Sequence, residues 1–390
     1  MSASSIPAEP AMAGMADGRA LRVAMVTPRF HPLTGGVETH VHEVAARLVR
    51  RGVAVTVITT DLSGQLAAEE RVRGLEVRRL AAAPRLGDLH WAPEVADAVA
   101  AGGWDLVHVQ GIHTLLPALA MRAARGTGIP YLVTFHSGGH SSRLRNAIRP
   151  LQWRLQRGLL RGAAGLVAVS EFEAGVFARA AGLSRERFSV IRNGFEMPAA
   201  PPSDGATDGE PGPAILSVGR LERYKGHHRA IGAMEAVLRE RPAAELHIVG
   251  SGPYERRLRE LARTSPAAHR IRFDSFPPER RGELRALMGR SELVLLLSEY
   301  EANPVTVMEA AGLRRRVLVG ANSGLRELAR LGLAEEVSLR RGDDEIGHMI
   351  TELLRRPAPA GLPDLPTWDG CADALLDLYR RARRGAGASP

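Results

Sequence analysis

The sequence of 390 residues contains very little cysteine and no long apolar run. Its single cysteine, Cys371, excludes a disulfide framework and suits a reducing compartment. No stretch reaches the roughly 18 consecutive apolar residues of a membrane-spanning helix. The first twenty residues carry Glu9, Asp17 and Arg19 and have no continuous apolar core, so we expect no signal peptide. These features predict a cytoplasmic protein whose contact with membrane, if it has one, is peripheral and on the inner face.

Lysine is almost absent, although basic residues are abundant. Of the 52 basic residues, only Lys225 is a lysine. Since arginine is used everywhere else, this lysine indicates a position that needs a compact ammonium group rather than a planar guanidinium. The net charge of +9 is concentrated in residues 1–197, which hold 23 arginines and 16 acidic residues. A basic surface suits an anionic substrate or membrane, although an arginine-rich coding bias explains the basic composition equally well. We expect no nucleic acid as a partner.

The length of the chain and one segment rich in proline and glycine predict two domains. The chain exceeds the roughly 250 to 300 residues that a single hydrophobic core supports. Residues 198–213 have the composition of a linker. We therefore expect a disordered tail over residues 1–20, domains over residues 21–197 and 214–366, and a final helix over residues 367–385.

The first domain opens with a strand, a pair of glycines and a helix. An apolar strand over residues 21–27 is followed by Gly35 and Gly36, and then by a helix over residues 37–51 with apolar residues at helical spacing. Glycines at the carboxyl end of such a strand let a ligand approach the backbone. Polar residues follow several later strands, and His136 is one of them. Those strands are predicted over residues 106–109, 131–135, 166–169 and 189–191.

An arginine-rich amphipathic helix is predicted over residues 143–161. At 100° per residue it has an apolar face and an arginine face. The apolar face consists of Leu144, Ile148, Leu151, Leu155 and Leu159, and the other of Arg143, Arg154, Arg157 and Arg161. Two interpretations stay open, namely a packed helix with an arginine-coated exterior and a docking face for an anionic membrane.

Two cations follow the first strand of the second domain. Residues 215–218 form an apolar strand, and Arg220 and Lys225 lie on the loop after it. Because open α/β sheets bind ligands at the carboxyl ends of their strands, these cations predict a diphosphate site. The segment is not a P-loop, since Tyr224 precedes the lysine and neither Ser nor Thr follows Gly226.

A second ligand-binding feature is the start of a helix after the buried strand predicted over residues 293–297. Asn303 suits the N-cap and Pro304 suits the first helical position, where its missing N–H costs nothing. The amides of Val305, Thr306 and Val307 then lack intrahelical partners. Unpaired donors at the positive end of a helix dipole predict a phosphate-binding site.

Two carboxylates flank this helix start. Glu301 in the loop offers oxygens to sugar hydroxyls, and Glu309 on the helix offers oxygens to a ribose diol. Two arbitrary glutamates are more often solvated surface residues. The cap chemistry and the strand before it favour a sugar-nucleotide site instead.

An ordered set of motifs covers nearly the whole chain. It consists of G-G-V-E (35–38), V-T-F-H (133–136), V-S-E (169–171), N-G (193–194), V-G-R-L…K-G (218–226), V-G-S-G-P (249–253) and the E-x7-E pair at 301 and 309. This set resembles the GT4 family of retaining glycosyltransferases. The resemblance implies the GT-B fold, an α/β architecture of two Rossmann-like, doubly wound parallel-sheet domains that face each other across a cleft. It also implies a final helix that crosses back to the first domain. The first domain would carry the acceptor site.

The resemblance implies a role for each candidate residue. Arg220 and Lys225 would bind the diphosphate of a nucleotide sugar and Glu309 its ribose. Glu301 and the amides after it would contact the sugar, and His136 would approach the sugar from the first domain. Glu301 and His136 are thus the candidate catalytic residues.

Gly36 would border the diphosphate and the acceptor in the same scheme. Asn303, Val305 and Thr306 complete the donor-binding set. Where many relatives carry Gly-Phe-Gly after the first glutamate, this chain has Ala302-Asn303-Pro304, which removes one backbone donor and changes the contacts to the sugar.

No D-x-D triplet occurs in the sequence, and basic residues can replace a metal ion at a leaving diphosphate. We therefore expect neither a metal nor a cofactor. The predicted reaction moves a sugar, with retention, from a UDP- or GDP-sugar to a hydroxyl of an envelope glycan, a lipid-linked acceptor or a small metabolite. The alternatives are a non-catalytic module that binds carbohydrate or a membrane surface, and a fold-mate such as a sugar-nucleotide epimerase.

Overall fold

The computed structural model describes residues 15–16, 19–33, 35–84, 89–137, 143–196, 214–277 and 280–387, with the backbone alone for 15, 16, 143–150, 386 and 387. The predicted linker, residues 198–213, lies outside the described residues, and so does most of the predicted tail. The described part of that tail pairs as two short antiparallel strands, β1 (Met15–Ala16) and β2 (Arg19–Ala20).

The first large sheet is almost entirely parallel. Its strands are β3 (Arg22–Val26), β4 (Ala54–Asp61), β5 (Glu69–Val72), β6 (Leu75–Ala81), β7 (Leu106–Gln110), β8 (Tyr131–Thr134), β9 (Gly165–Ala168) and β10 (Phe188–Val190). They lie in the order β10-β9-β8-β7-β3-β4-β6-β5, and only β5 runs antiparallel to its neighbour. The central strands are buried on both faces because helices cover both, as expected of a parallel sheet.

Among the described residues of this domain, five helices connect these strands. They are α1 (Gly36–Arg50), α2 (Val95–Ala101), α3 (Leu115–Gly126), α4 (Arg143–Gly162) and α5 (Glu171–Ala181). Alternate residues of each strand point to opposite faces. On β7, for example, Val107 and Val109 pack in the core with α3, and Leu106 packs in the core with α1.

The second sheet has six strands, all parallel. They are β11 (Ile215–Val218), β12 (Leu246–Val249), β13 (Ile271–Asp274), β14 (Leu293–Leu296), β15 (Arg316–Gly320) and β16 (Glu335–Val337), in the order β13-β12-β11-β14-β15-β16. The helices of this unit are α6 (His227–Glu240), α7 (Glu255–Thr264), α8 (Arg281–Arg290), α9 (Val305–Gly312), α10 (Ser323–Arg330) and α11 (Asp343–Arg355).

The last helix, α12 (Trp368–Gly387), packs on the first domain. Trp368, Leu375 and Tyr379 are buried in the same core as Val44 and Leu48 of α1. Arg51, just after α1, donates hydrogen bonds to carboxylates of α12. The helix is therefore part of the first domain's core, although it follows the second domain in sequence.

Two leucines of the predicted apolar face of α4 do not face the core, although Leu159 of the same face packs against it. Leu151 is 59% exposed and Leu155 is 77% exposed, whereas Gln156 and Leu160 are buried. Gln156 donates a hydrogen bond to the carbonyl of Ile112, at 3.1 Å, so a glutamine takes part in the inward face. Leu144 and Ile148 lie outside the described side chains. The prediction of a packed leucine face is thus wrong at Leu151 and Leu155.

Candidate active site

Residues that follow β8 and β10 in the first domain contact residues that follow β14 in the second. The hydroxyls of Ser137 and Tyr300 lie 3.0 Å apart across the cleft. The side-chain amide of Asn193 donates to the carbonyl of Asn303, at 2.7 Å. The carboxyl ends of both sheets therefore line one cleft, which is where open α/β sheets bind ligands.

Lys225 and Glu301 form an ion pair inside this cleft. The ammonium Nζ is 2.6 Å from Oε1 of Glu301, and the hydroxyl of Ser298 donates to the same oxygen at 2.9 Å. The two side chains are only 19% and 11% exposed. Burial alone lowers the pKa of Lys225, but Glu301 more than offsets this, so the pKa is raised and the lysine stays charged. The structure thus brings together the lone lysine and the first glutamate of the E-x7-E pair.

A glycine turn places this lysine. Gly226 has a φ of +78°, and a Cβ there would lie 1.9 Å from the carbonyl oxygen of Leu297. Only glycine fits such a position, and it lets the loop after β11 pass directly against the end of β14. Arg220 lies on the same loop, about half exposed, with its guanidinium 3.0 Å from Glu222. Both predicted cations therefore border the cleft.

Glu309 pairs with an arginine that the sequence analysis did not single out. Nη2 of Arg281 is 2.6 Å from Oε1 of Glu309, and Nη1 donates to the hydroxyl of Thr39 in the first domain at 3.2 Å. Arg281 is the first residue of α8 and belongs to no motif, so no sequence signal marks it. Its position makes it a bridge between the predicted ribose ligand and the opposite domain.

The start of α9 differs in detail from the prediction. Pro304, not Asn303, occupies the N-cap, and the helix begins at Val305. The side-chain oxygen of Asn303 accepts from the amide of Asn193 at 3.1 Å, so it serves a contact between domains instead of a cap. The amides of Val305 and Thr306 remain at the helix start, where no intrahelical acceptor is available. The amide of Val307, predicted to lack a partner, donates to the carbonyl of Pro304 at 3.1 Å, so the prediction is wrong at this residue.

His136 follows β8 with a φ of +49°, an unusual value for a residue other than glycine. Its Nε2 is 2.7 Å from the side-chain oxygen of Gln110, and the ring of His40 packs edge-on with centroids 4.5 Å apart. Burial lowers the pKa of His136 well below its ordinary value, and the neighbouring His40 and His108 lower it further. The ring is therefore neutral at physiological pH.

The glycine pair before α1 has two different roles. A Cβ on Gly36 would meet no atom within 4 Å, so the space beside it is open. A Cβ on Gly35 would lie 2.5 Å from a carboxylate oxygen of Glu38, which folds back over the loop. Burial raises the pKa of Glu38, a buried acid that ends the motif G-G-V-E and had no predicted role.

Two family profiles together match most of the chain. "Glycosyltransferase Family 4" matches residues 34–197, and "Glycosyl transferases group 1" matches residues 207–359. A GDP-mannose:cellobiosyl-diphosphopolyprenol alpha-mannosyltransferase of Xanthomonas oryzae is 30% identical over 301 residues, which cover 74% of this chain and 76% of that protein. The chain belongs to the family 4 glycosyltransferases. The prediction drawn from the ordered motifs is confirmed.

Further relatives agree with this assignment. The glycosyltransferase is 27% identical to a glycogen synthase of Mycobacterium tuberculosis, over 94% of this chain and 96% of that protein. It superposes on the Anabaena protein HepE, solved with UDP and glucose, with a TM-score of 0.68 and 19% identity over 94% of this chain and 98% of that one. The GT-B fold predicted from the resemblance is thereby confirmed.

Within the described ranges, no three His, Cys, Asp or Glu side chains are grouped so as to hold a metal ion. No helix in that same part of the glycosyltransferase is long and apolar enough to cross a membrane.

Proposed function

We propose that this glycosyltransferase moves a sugar, with retention of anomeric configuration and without a metal ion, from a UDP- or GDP-sugar to an acceptor hydroxyl. The observation that carries the proposal is the ion pair of Lys225 and Glu301 beside the start of α9, across the cleft from His136. A cation suited to a leaving diphosphate therefore lies next to a carboxylate suited to the sugar, which supports the proposal. A relative that uses GDP-mannose and a fold neighbour solved with UDP support both donor bases.

The donor roles follow from the chemistry of each group. Lys225 and Arg220 supply positive charge to the diphosphate, and the amides of Val305 and Thr306 donate to its oxygens. Glu309 accepts hydrogen bonds from the ribose diol once Arg281 releases the carboxylate oxygen to which it donates. Positive charge at the leaving oxygens is what a metal ion would otherwise provide, which is the reason for proposing a metal-independent reaction.

The state of Glu301 favours one of the two routes to retention, namely attack on the face that the diphosphate leaves. Its Oε1 already accepts hydrogen bonds from Lys225 and Ser298, so the carboxylate is a weak nucleophile but a fixed negative charge beside the sugar. In the proposed path the acceptor attacks on the face that the diphosphate leaves, and a phosphate oxygen takes the acceptor's proton. Glu301 then stabilises the positive charge that develops on the sugar, and neutral His136 accepts a hydrogen bond from a hydroxyl.

The decisive experiment is a screen of UDP- and GDP-sugars by thermal shift and hydrolysis. A donor at a hundredfold excess over its Kd adds about 2.7 kcal/mol to the free energy of unfolding, which a melting experiment detects. The product anomer, determined from its NMR coupling constant, then tests retention. An inverted product would refute the proposed stereochemistry, and turnover lost in EDTA and restored by a divalent cation would refute metal independence.

We also propose a peripheral contact with anionic membrane through the exposed face of α4. Leu151, Arg154, Leu155, Gly158 and Arg161 lie at the i, i+3, i+4, i+7 and i+10 positions of this face and are all exposed. Two large apolar side chains beside two arginines match the acyl region and the headgroups of an anionic bilayer. Such a contact would bring a lipid-linked acceptor to the first domain.

Sedimentation with vesicles of phosphatidylglycerol and phosphatidylcholine tests this contact. Arg154→Gln should weaken binding by roughly fivefold, because one basic residue near an anionic surface contributes about 1 kcal/mol. Leu155→Gln should weaken it at least as much, and Leu331→Gln, at an exposed leucine of the second domain, should not. Equal binding to vesicles of phosphatidylcholine alone would contradict the proposal.

A further inference from the structure

The catalytic candidate His136 belongs to a row of polar side chains inside the first domain. His108 and Gln110 lie two residues apart on β7 and therefore share one face of the sheet, and Thr134 lies beside Gln110 on β8. This is the face covered by α1 and α12. His108, Gln110 and Thr134 are all fully buried. Buried polar groups must pair with one another, so the row fixes the orientation of each member.

The far end of this row is anchored on the last helix. The hydroxyl of Tyr379 on α12 is 2.6 Å from Nδ1 of His108, and the hydroxyl of Thr134 is 2.8 Å from its Nε2. The side-chain nitrogen of Gln110 lies 3.2 Å and 3.3 Å from the two ring nitrogens of His108. The amide group of Gln110 is thus directed toward His108, and its carbonyl oxygen is directed toward His136.

The hydrogen bond at His136 determines which ring nitrogen carries the proton. A neutral imidazole has one N–H donor and one lone pair, and a carbonyl oxygen can only accept. Since the oxygen of Gln110 is 2.7 Å from Nε2, this nitrogen must carry the hydrogen. Nδ1 then has the lone pair, and among the described residues the hydrogen bonds of this ring involve Nε2 alone.

We propose that Gln110 is a positioning residue that holds His136 as the Nε2–H tautomer, so that Nδ1 accepts a hydrogen bond from a substrate hydroxyl. This inference rests on the proposed function in one respect, namely that His136 contacts the substrate. The sequence motif V-T-F-H contains His136 and does not contain Gln110, so the assignment comes from the packing of β7 beside β8.

The tautomer is read directly from the imidazole nitrogens. Two-bond proton–nitrogen NMR spectra of the full chain, with His136→Ala to assign the signal, should give Nε2–H for His136 at pH 7.5. Gln110→Met, which keeps the length of the side chain but has no acceptor oxygen, should shift the signal toward a mixture of tautomers. An Nδ1–H signal in the unmodified protein would overturn the proposal.

Kinetics test the consequence of the tautomer. With the sugar nucleotide that the screen selects, Gln110→Met should lower kcat about tenfold, the effect of one neutral hydrogen bond, with KM changed less than twofold. The matched control is Gln156→Met, a buried glutamine of the same domain that bonds a backbone carbonyl, and its kcat should stay unchanged. A wild-type kcat in Gln110→Met would overturn the proposal.

Gln110→Glu keeps the acceptor oxygen and adds a charge, so it remains informative if the methionine variant does not fold. An opposite charge raises the pKa of His136, and a second proton removes the lone pair at Nδ1. The acid limb of the pH profile of kcat should therefore move to higher pH, and an unmoved limb would count against Gln110. If His136→Ala turns over at the wild-type rate, the proposed role of His136 fails, while the NMR spectra still decide the tautomer.

Discussion

The ion pair of Lys225 and Glu301 offers the sharpest test of the candidate site. Lys225→Met removes the charge and keeps the chain length, and Glu301→Gln removes the charge and keeps the shape. Lys225→Met leaves Glu301 without a counter-charge, and Glu301→Gln leaves Lys225 without one, in a site where both side chains are less than one-fifth exposed. Losing one partner of a fully buried pair costs about 3 to 5 kcal/mol, so we expect about 2 to 3 kcal/mol here, because some water reaches the pair.

The double variant separates the pair from its surroundings. Since neither charge remains to be left unpaired, the free energy of unfolding should fall by less than the sum of the two single losses. The expected coupling energy is about 1.5 to 3 kcal/mol, the range of a hydrogen bond to a charged group. Urea unfolding of the four proteins at pH 7.5 measures it.

An exposed pair of the same length is the matched control. Arg355 and Glu240 are also 2.6 Å apart, but their side chains are 66% and 26% exposed. The same double-mutant cycle with Arg355→Met and Glu240→Gln should give a coupling energy of about 0.2 to 1 kcal/mol. Equal coupling energies for the two pairs would refute the argument that burial in the cleft sets the magnitude.

Ligand binding by the same variants tests the functional assignment. Calorimetry should find UDP or GDP bound roughly 10- to 150-fold more weakly by Lys225→Met, which corresponds to about 1.5 to 3 kcal/mol. Glu301→Gln should bind the diphosphate at least as well as the wild type, since it releases Lys225, yet its kcat should fall by about 100-fold or more. Unchanged diphosphate affinity in Lys225→Met would refute the role of this lysine.

Three further predictions concern other parts of the site. Gly36→Ala should fold normally, because its Cβ meets open space. Calorimetry should nevertheless find a raised Kd for the nucleoside diphosphate, and an unchanged Kd would remove Gly36 from the donor site. Arg281→Met should lower the donor KM about two- to fivefold, since Glu309 no longer has to leave an ion pair before it binds the donor. Arg280→Met is the control, and a raised KM in Arg281→Met would make Arg281 a donor ligand. Burial lowers the pKa of His108 to about 3, so the contribution of this residue to stability is complete above about pH 6.5. As the pH falls toward 3, the free energy of unfolding should fall by about 1.4 kcal/mol per pH unit. Urea unfolding should show a flatter dependence of that free energy on pH for His108→Gln.

Local chemistry in the sequence was sufficient to predict which groups of the second domain's candidate site lie close together. The lone lysine follows β11, and the two glutamates and the helix start follow β14, which are both buried strands. The carboxyl ends of parallel strands meet at one edge of a sheet, so these groups had to come together. The same reasoning placed His136 at the end of a strand in the first domain.

Contacts between distant segments could not be predicted from the sequence. Arg281 reaches Glu309 because α8 packs beside α9, whereas its bond to Thr39 and the pairing of Asn193 with Asn303 depend on how the two domains are oriented. Asn303 looks like an N-cap in the sequence because the local pattern is correct for one. Its oxygen bonds to the other domain instead, so a tertiary contact overrides the local preference.

Helix periodicity also failed to determine which face of α4 is buried. The leucines at positions 151 and 155 have the spacing of a core stripe, yet Gln156 and Leu160 point inward. Periodicity predicts that the helix has two faces, whereas the elements packed against it determine which face is buried. Here the carbonyl of Ile112 satisfies Gln156, so the polar residue is tolerated inside.

The two domains contribute opposite kinds of group to the cleft, and this division has a chemical reason. The second domain supplies charges in compensated pairs, Lys225 with Glu301 and Arg281 with Glu309. The first domain supplies His136, whose pKa is lowered well below its ordinary value by burial, so that it faces the cleft uncharged. In the proposed reaction positive charge develops on the sugar between these two sides. An imidazolium there would repel that charge, whereas a neutral ring with a lone pair does not, and the carboxylate of Glu301 attracts it. The burial that lowers the pKa of His136 therefore serves the same step as the charge of Glu301.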